Sequence, residues 1–182
     1  MKLELGFKNN VIIDIGVKDI IAESPQEKAA SYVGTNWIRP VDAVIISHFK
    51  KNRNLGDGTP PRDHKGWDFD VKEGTPVKAV ADGYVRIAEK NGRISGYGNA
   101  IYINHGIING KIVECEYGHL KEIRVSSNEF VQQGDIIGLS GGKRGMYYSG
   151  ISKGPHLHIT TRIYSVNYGY KTPVPPGTYL KF

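Results

Sequence analysis

Short runs of alternating apolar and polar residues, each closed by a glycine-bearing turn, fill this sequence after residue 68. They restrict it to a β architecture. Residues 77–81 lead to Asp82-Gly83 and on to residues 84–88, the pattern of a hairpin. Gly96-Tyr97-Gly98-Asn99 precedes a strand at 100–104, and Asn109-Gly110 turns the chain into a strand at 112–117. Gly134-Asp135, Ile136-Ile137-Gly138 and Gly141-Gly142 repeat the pattern, and the chain's 23 glycines gather at such turns.

Upstream, residues 10–17 read as a strand. Ser24-Pro25-Gln26-Glu27 opens a short helix ending near Val33-Gly34, with Ser24 as cap and Pro25 at the first helical position. Residues 42–48 read as another strand, and residues 52–63, with Gly56-Asp57-Gly58 and Pro60-Pro61, as a long exposed loop. The expected organisation is an N-terminal extension (1–36), a main domain (37–163), and a Tyr- and Pro-rich tail (164–182) that forms an edge strand or surface wrap. At 182 residues the chain has the length of one domain, enough to bury a core without disulfides, and its one cysteine, Cys115, allows none within the chain.

Formal net charge is +6, which serves ordinary solubility or attraction to an anionic polymer. Nucleic acid is set aside as a partner. The basic residues are dispersed, only Lys50, Lys51 and Arg53 cluster, and no nucleic-acid-binding motif occurs. A bacterial cell wall suits the sign equally well. No apolar run is long enough to span a membrane, so no membrane insertion is expected. The N-terminus does not read as a secretory signal, because Asp14 interrupts the apolar run and no small-residue cleavage site follows.

The chemistry lies in four histidines and an aspartate. His156 and His158 point to one face of a strand. Gly154, Thr160 and Arg162 share that polar face, while Pro155, Leu157, Ile159, Thr161 and Ile163 make the other, core-facing one. His64 and Asp68 are four apart, but Gly66 and the Pro-rich loop before them argue against a helix, so a bent loop-to-strand segment must bring them together. His119 follows a strand in which Val113, Cys115 and Tyr117 share its face and Glu114 and Glu116 take the other. Cys115 is a rival ligand, yet it lies roughly 13 Å from His119 along an extended strand and reads as a small buried hydrophobe. His48 and His105 read as structural or surface residues, with a place on the cleft as the alternative for His48. A carboxylate with neutral imidazoles, one open coordination position and a spare imidazole is the material of a zinc hydrolase. On spacing alone, either or both of His156 and His158 can bind the metal.

HExxH, the Gly-x-Ser-x-Gly elbow, the Walker loop and the dinucleotide fingerprint are all absent. A lipoyl or biotinyl carrier would need a lysine on a tight hairpin, which is not offered, and a phosphohistidine carrier would not need Asp68.

Six segments, in order, resemble the lysostaphin-type zinc endopeptidases that cleave bacterial peptidoglycan. They are His64-Lys65-Gly66-Trp67-Asp68, the 74–83 run, Gly96-Tyr97-Gly98-Asn99 with Asn104-His105-Gly106, Tyr117-Gly118-His119-Leu120, residues 134–138, and Gly154-Pro155-His156-Leu157-His158. The resemblance covers roughly residues 36–162. It implies a mainly β fold, an antiparallel sheet or sandwich with a groove above the sheet. It further implies that His64, Asp68 and His158 bind Zn2+ while His119 and His156 do acid–base work on peptidoglycan, in a cross-bridge or stem peptide. Groove walls are expected at 52–63, 89–98 and 142–153. Thr160 stands where the family usually has Glu or Gln, which alters a groove contact and not the metal set. A phage virion-associated lysin, acting on the wall from outside among other virion proteins, would need no signal peptide. The alternative is a catalytically silent wall-binding or regulatory module on the same fold.

Overall fold

The computed structural model describes residues 36–56, 58–89, 96–165 and 168–181. The strand and helix expected within residues 1–35 lie outside them. Among the described residues there are thirteen strands: β1 (Ile45–Ser47), β2 (Lys50–Arg53), β3 (Arg62–His64), β4 (Trp67–Phe69), β5 (Pro76–Lys78), β6 (Gly83–Glu89), β7 (Ala100–Ile108), β8 (Lys111–Gly118), β9 (Leu120–Ile123), β10 (Phe130–Val131), β11 (Ile136–Ser140), β12 (Leu157–Ser165) and β13 (Tyr168–Val174). Every pairing is antiparallel. The large sheet runs β1-β4-β12-β8-β7-β6-β10, with β13 added to β12 on the side where β4 pairs; a second sheet runs β5-β11-β9, and β2-β3 form a separate ribbon.

The β7–β8 hairpin turns at Asn109-Gly110 as the sequence predicts. Both residues have positive φ, 51° and 72°, the requirement of a tight turn whose twist suits the flanking strands. Asp82-Gly83 behaves differently. β5 pairs with β11 and β6 with β7 and β10, so the expected hairpin over residues 77–88 is instead a passage from one sheet to the other. The physical reason is burial: Pro76 and Lys78 stay exposed on β5, but the run Ala79, Val80 and Ala81 that follows is enclosed and carries the chain between the sheets. The Asp82 carboxylate accepts the Gln133 N–H (2.7 Å), and a Cβ at Gly83 would stand 2.6 Å from the Asn104 carbonyl oxygen. Here glycine answers to close packing, not to a turn.

Both sheets contribute to one core, in which Val77, Leu120 and Ile137 of the small sheet meet Phe69, Ile101, Tyr117, Leu157 and Ile159 of the large one. The Val80 N–H donates to the Tyr117 hydroxyl at 3.0 Å across that core. The expected loop at 52–63 is shorter than its span, since Arg53 and Arg62 pair across β2 and β3.

Strand β8 departs from the expected alternation: residues 113–118 are all buried, including Glu114 and Glu116 at 0% exposure. Buried carboxylates must be paired. Arg86 Nε (2.5 Å) and Lys171 Nζ (2.8 Å) meet Glu114, while Arg162 and the Tyr102 hydroxyl (3.0 Å) meet Glu116. Lys171 is brought by β13, so the tail supplies one of the counter-charges.

His105 is 1% exposed in a bulged stretch of β7, where its Nδ1–H donates to the Asp82 carbonyl (2.8 Å) and Trp37 packs against the ring at 4.8 Å. Burial lowers its pKa from 6.5 to about 4. Between those values the unfolded chain binds a proton that the folded chain refuses. The contribution of His105 is therefore complete above pH 6.5 and is lost as pH falls towards about 4, a change of about 3 kcal/mol. Urea melts of wild type and His105→Asn over that window will show a smaller pH slope in the variant; equal slopes would sink this assignment. Gly66 gives a second test. A Cβ there would lie 2.1 Å from the Ile159 carbonyl oxygen and 2.7 Å from His158 Nε2. Gly66→Ala is therefore expected to cost about 1–3 kcal/mol in thermal melts, through overpacking against β12. Gly74→Ala, at φ 88° with open space around it, instead reports backbone strain without overpacking.

Candidate metal centre and groove

β12 lies between β8 and β4, and its register places His158 opposite Asp68 on one side and Gly118 on the other. His64 ends β3, and the Lys65-Gly66 turn returns the chain into β4, which closes the four-residue gap to Asp68. His64 Nε2 stands 3.0 Å from Asp68 Oδ1, which lies 2.7 Å from His158 Nδ1. His156 precedes β12 by one residue, held by a bridge to Gly141. His119 sits between β8 and β9 at φ 61°, so the strand alternation expected to run through Tyr117 to it is broken there. The turn swings its ring to 4.7 Å from that of His156 and 5.9 Å from that of His158. The structure thus brings all five predicted side chains to one place.

Hydrogen bonds settle the histidine tautomers, because a backbone carbonyl can only accept. His64 Nδ1 donates to the His48 carbonyl at 2.7 Å, His119 Nδ1 to that of Ser149 at 2.9 Å, and His156 Nδ1 to that of Gly154 at 2.8 Å. Each of these rings, when neutral, presents a bare Nε2. His158 Nε2 faces the Thr160 hydroxyl at 2.9 Å, which leaves Nδ1 turned inward. His64 Nε2, His158 Nδ1 and Asp68 Oδ1 then converge at 2.7, 3.0 and 3.3 Å. Three lone pairs held this close repel unless protons or a cation stand between them. Two imidazole nitrogens and a carboxylate oxygen are a donor set suited to zinc, so the residues fit such an ion.

Electrostatics agree with the geometry. Burial alone would raise the Asp68 pKa, but hydrogen bonds to His158 and His64 outweigh it and hold the carboxyl well below the usual carboxylate range. Burial, reinforced by the neighbouring His156 and His158, pushes His119 down to about 3. Burial also lowers His158.

The site is the floor of a groove of about 490 Å³. Its walls come from Ile46, Arg53, Leu55 and residues 62–65, from Gly96 and Tyr97, and from 151–155, close to the segments expected from sequence. Three contributors were not singled out beforehand. Arg53 Nη1 donates to Ser47 Oγ (2.7 Å) and lies 3.9 Å from Asp68 Oδ2. The Tyr97 ring is 5.2 Å from that of His158, and its carbonyl accepts the His119 N–H at 2.7 Å. The Ser152 hydroxyl stands 3.2 Å from His156 Nδ1. In sequence, Arg53 reads only as part of a basic cluster and Tyr97 as a turn residue. His48 contributes its carbonyl, while its exposed ring packs edge-on against Trp67. His105 lies in the core, and so does Cys115, whose thiol is pushed up to about 12 by burial.

Comparison with known proteins agrees with this arrangement. The model of "Peptidase family M23" matches residues 62–173. An uncharacterized metalloprotease of Haemophilus influenzae is 36% identical over 137 residues, which cover 75% of this chain and 26% of that protein. Lysostaphin of Staphylococcus simulans is 33% identical over 143 residues, covering 76% and 26%. The chain therefore spans about a quarter of the length of these curated relatives. Among solved structures, a zinc-containing peptidase from Vibrio cholerae superposes with a TM-score of 0.60 at 28% identity, covering 79% of this chain and 39% of that one. The catalytic domain of lysostaphin gives 0.57 at 28% identity, covering 78% and 94%. With the family model covering more than half of its length, and with the fold of solved members, the chain belongs to peptidase family M23.

Proposed function

We propose that this chain is a zinc-dependent endopeptidase hydrolysing peptide bonds in bacterial peptidoglycan, with His64, Asp68 and His158 holding the ion and His119 and His156 moving protons. One observation carries the reading: three lone-pair atoms converge on a groove floor beside two imidazoles whose Nδ1 hydrogens are already committed. The printed names of relatives support the direction, among them lysostaphin and a peptidoglycan DD-endopeptidase of Vibrio cholerae, 37% identical over 110 residues.

A zinc ion in that donor set would polarise the scissile carbonyl and give a water a pKa near ~7 in place of ~15.7. The chain's own groups do the rest. His119 is held against rotation by the Ser149 carbonyl and kept neutral by burial, so its bare Nε2 meets the attacking water as a proton acceptor. Once charged, the same ring faces the developing oxyanion. His156, at the more open edge with Nε2 3.6 Å from Asp68 Oδ1, is placed to hand a proton to the leaving amine. The Gly154 carbonyl keeps its Nδ1 out of that exchange. The Tyr97 ring, packed at 5.2 Å on His158 and 6.3 Å on His119, shields the site from bulk water on that side.

Purified protein is expected to bind about one zinc per chain, to clear cell walls in a zymogram, and to lose that clearing with a chelator and regain it with zinc. His119→Ala should lower kcat by about 10²–10⁴ while retaining the metal, whereas His158→Ala should lose the metal itself. Full activity in His119→Ala, or activity that survives complete metal removal, would refute the assignment.

A further inference from the structure

We propose that the β2–β3 ribbon selects the substrate: Arg62, with Arg53 beside it and Lys65 beyond, binds a free carboxylate on a peptide residue next to the scissile bond. The inference rests on the peptidase reading above and names the class of peptide that site takes.

Arg53 and Arg62 are direct partners across the ribbon, and both line the groove. Like charges placed opposite one another on a strand pair are unfavourable, so their placement asks for an anion. Arg53 is partly answered by Ser47 and Asp68. Arg62 and Lys65 line the groove exposed, with no side-chain hydrogen bond or ion pair to any described residue. Asp63 forms no salt bridge with either; its Oδ1 accepts the Asn52 N–H at 2.9 Å. Lys153 adds a fourth cation on the far wall. The carboxylates lining the groove are Asp63 and Asp68, and Asp68 is already engaged by His64 and His158.

Strand geometry sets the reach. Arg62 and His64 are two apart on β3, so they share a face and stand about 6.6 Å apart along the strand. An extended substrate has the same repeat, which puts the guanidinium level with a neighbouring residue of the cleaved peptide. A guanidinium is suited to grip a carboxylate there with two parallel hydrogen bonds. A stem peptide with free carboxylates supplies this partner; a glycine cross-bridge has no side-chain charge to offer.

The test compares zinc-loaded full chain on three synthetic substrates: a stem peptide with the free carboxylate, the same peptide amidated there, and a glycine-linked peptide. The readout is the ratio of kcat/KM for the free acid to that for the amide, so a general loss of activity cancels. Wild type should prefer the free acid by roughly tenfold or more, the scale of one charge-assisted contact. Arg62→Gln should bring the ratio below about threefold, Arg62→Lys should leave it between that value and wild type because an ammonium keeps the charge and not the two parallel hydrogen bonds, and high salt should narrow it in wild type. A wild-type ratio near one, or an unchanged ratio in Arg62→Gln, overturns the inference. Cleavage of the glycine-linked peptide alone also overturns it, while leaving the peptidase reading standing. Cleavage of none of the three defeats both.

Discussion

The double pairing of β12 is what the remainder of the site depends on. With β8 on one flank and β4 on the other, the strand cannot slide by one residue without sending His158 to the core and Ile159 into the groove. The same register puts Asp68 directly across from His158, and puts Gly118 on the opposite side, where the chain leaves β8 for His119. Bonds from neighbouring backbone then set ring orientation: the carbonyls of His48, Ser149 and Gly154 each hold one imidazole. Precision at the site is thus mostly main-chain precision, transmitted through hydrogen bonds that side-chain substitutions elsewhere would not easily disturb.

Farther along β8 and β12, the same face of the sheet solves a different problem. Glu114 and Glu116 are enclosed without access to water, a costly arrangement that only close cationic partners make tolerable. Their partners come from β6, β12 and β13, so the network fastens the tail strand to the middle of the sheet. A hydrophobic patch could have bound β13 with less risk; charges demand a unique alignment, because a shifted strand would strand Lys171 or leave Glu114 uncompensated.

Much of this was legible in the sequence, though unevenly. Asn109-Gly110 has the chemistry of one turn type, and its hairpin formed as read. Asp82-Gly83 carries the same signature but obeys tertiary packing, which no dipeptide discloses. The residues of the centre could be picked out because histidine and aspartate are few and the segments carrying them are distinctive. Their division of labour came from family resemblance, and the tautomers came only from coordinates, since the partners are carbonyls that every residue possesses. For the same reason the side chain of His48 gave no hint of its contribution. Glu114 and Glu116 read only as the face opposite Val113, Cys115 and Tyr117, because period-two alternation cannot tell a wet face from one covered by ion pairs. Arg53 and Tyr97 stayed hidden because their importance lies in what stands beside them in space.

The left-handed backbone at His119 has an implication for what kind of optimum this fold occupies. A residue with a Cβ in that region bears roughly 1–2 kcal/mol of local strain that glycine would escape. Two hydrogen bonds, from its N–H to the Tyr97 carbonyl and from its ring to that of Ser149, hold it there against that preference. A chain composed for folding alone would put glycine at this position and rest more comfortably. In the function proposed above, an imidazole there trades durability for work, so variants selected only for heat resistance would drift first at this residue.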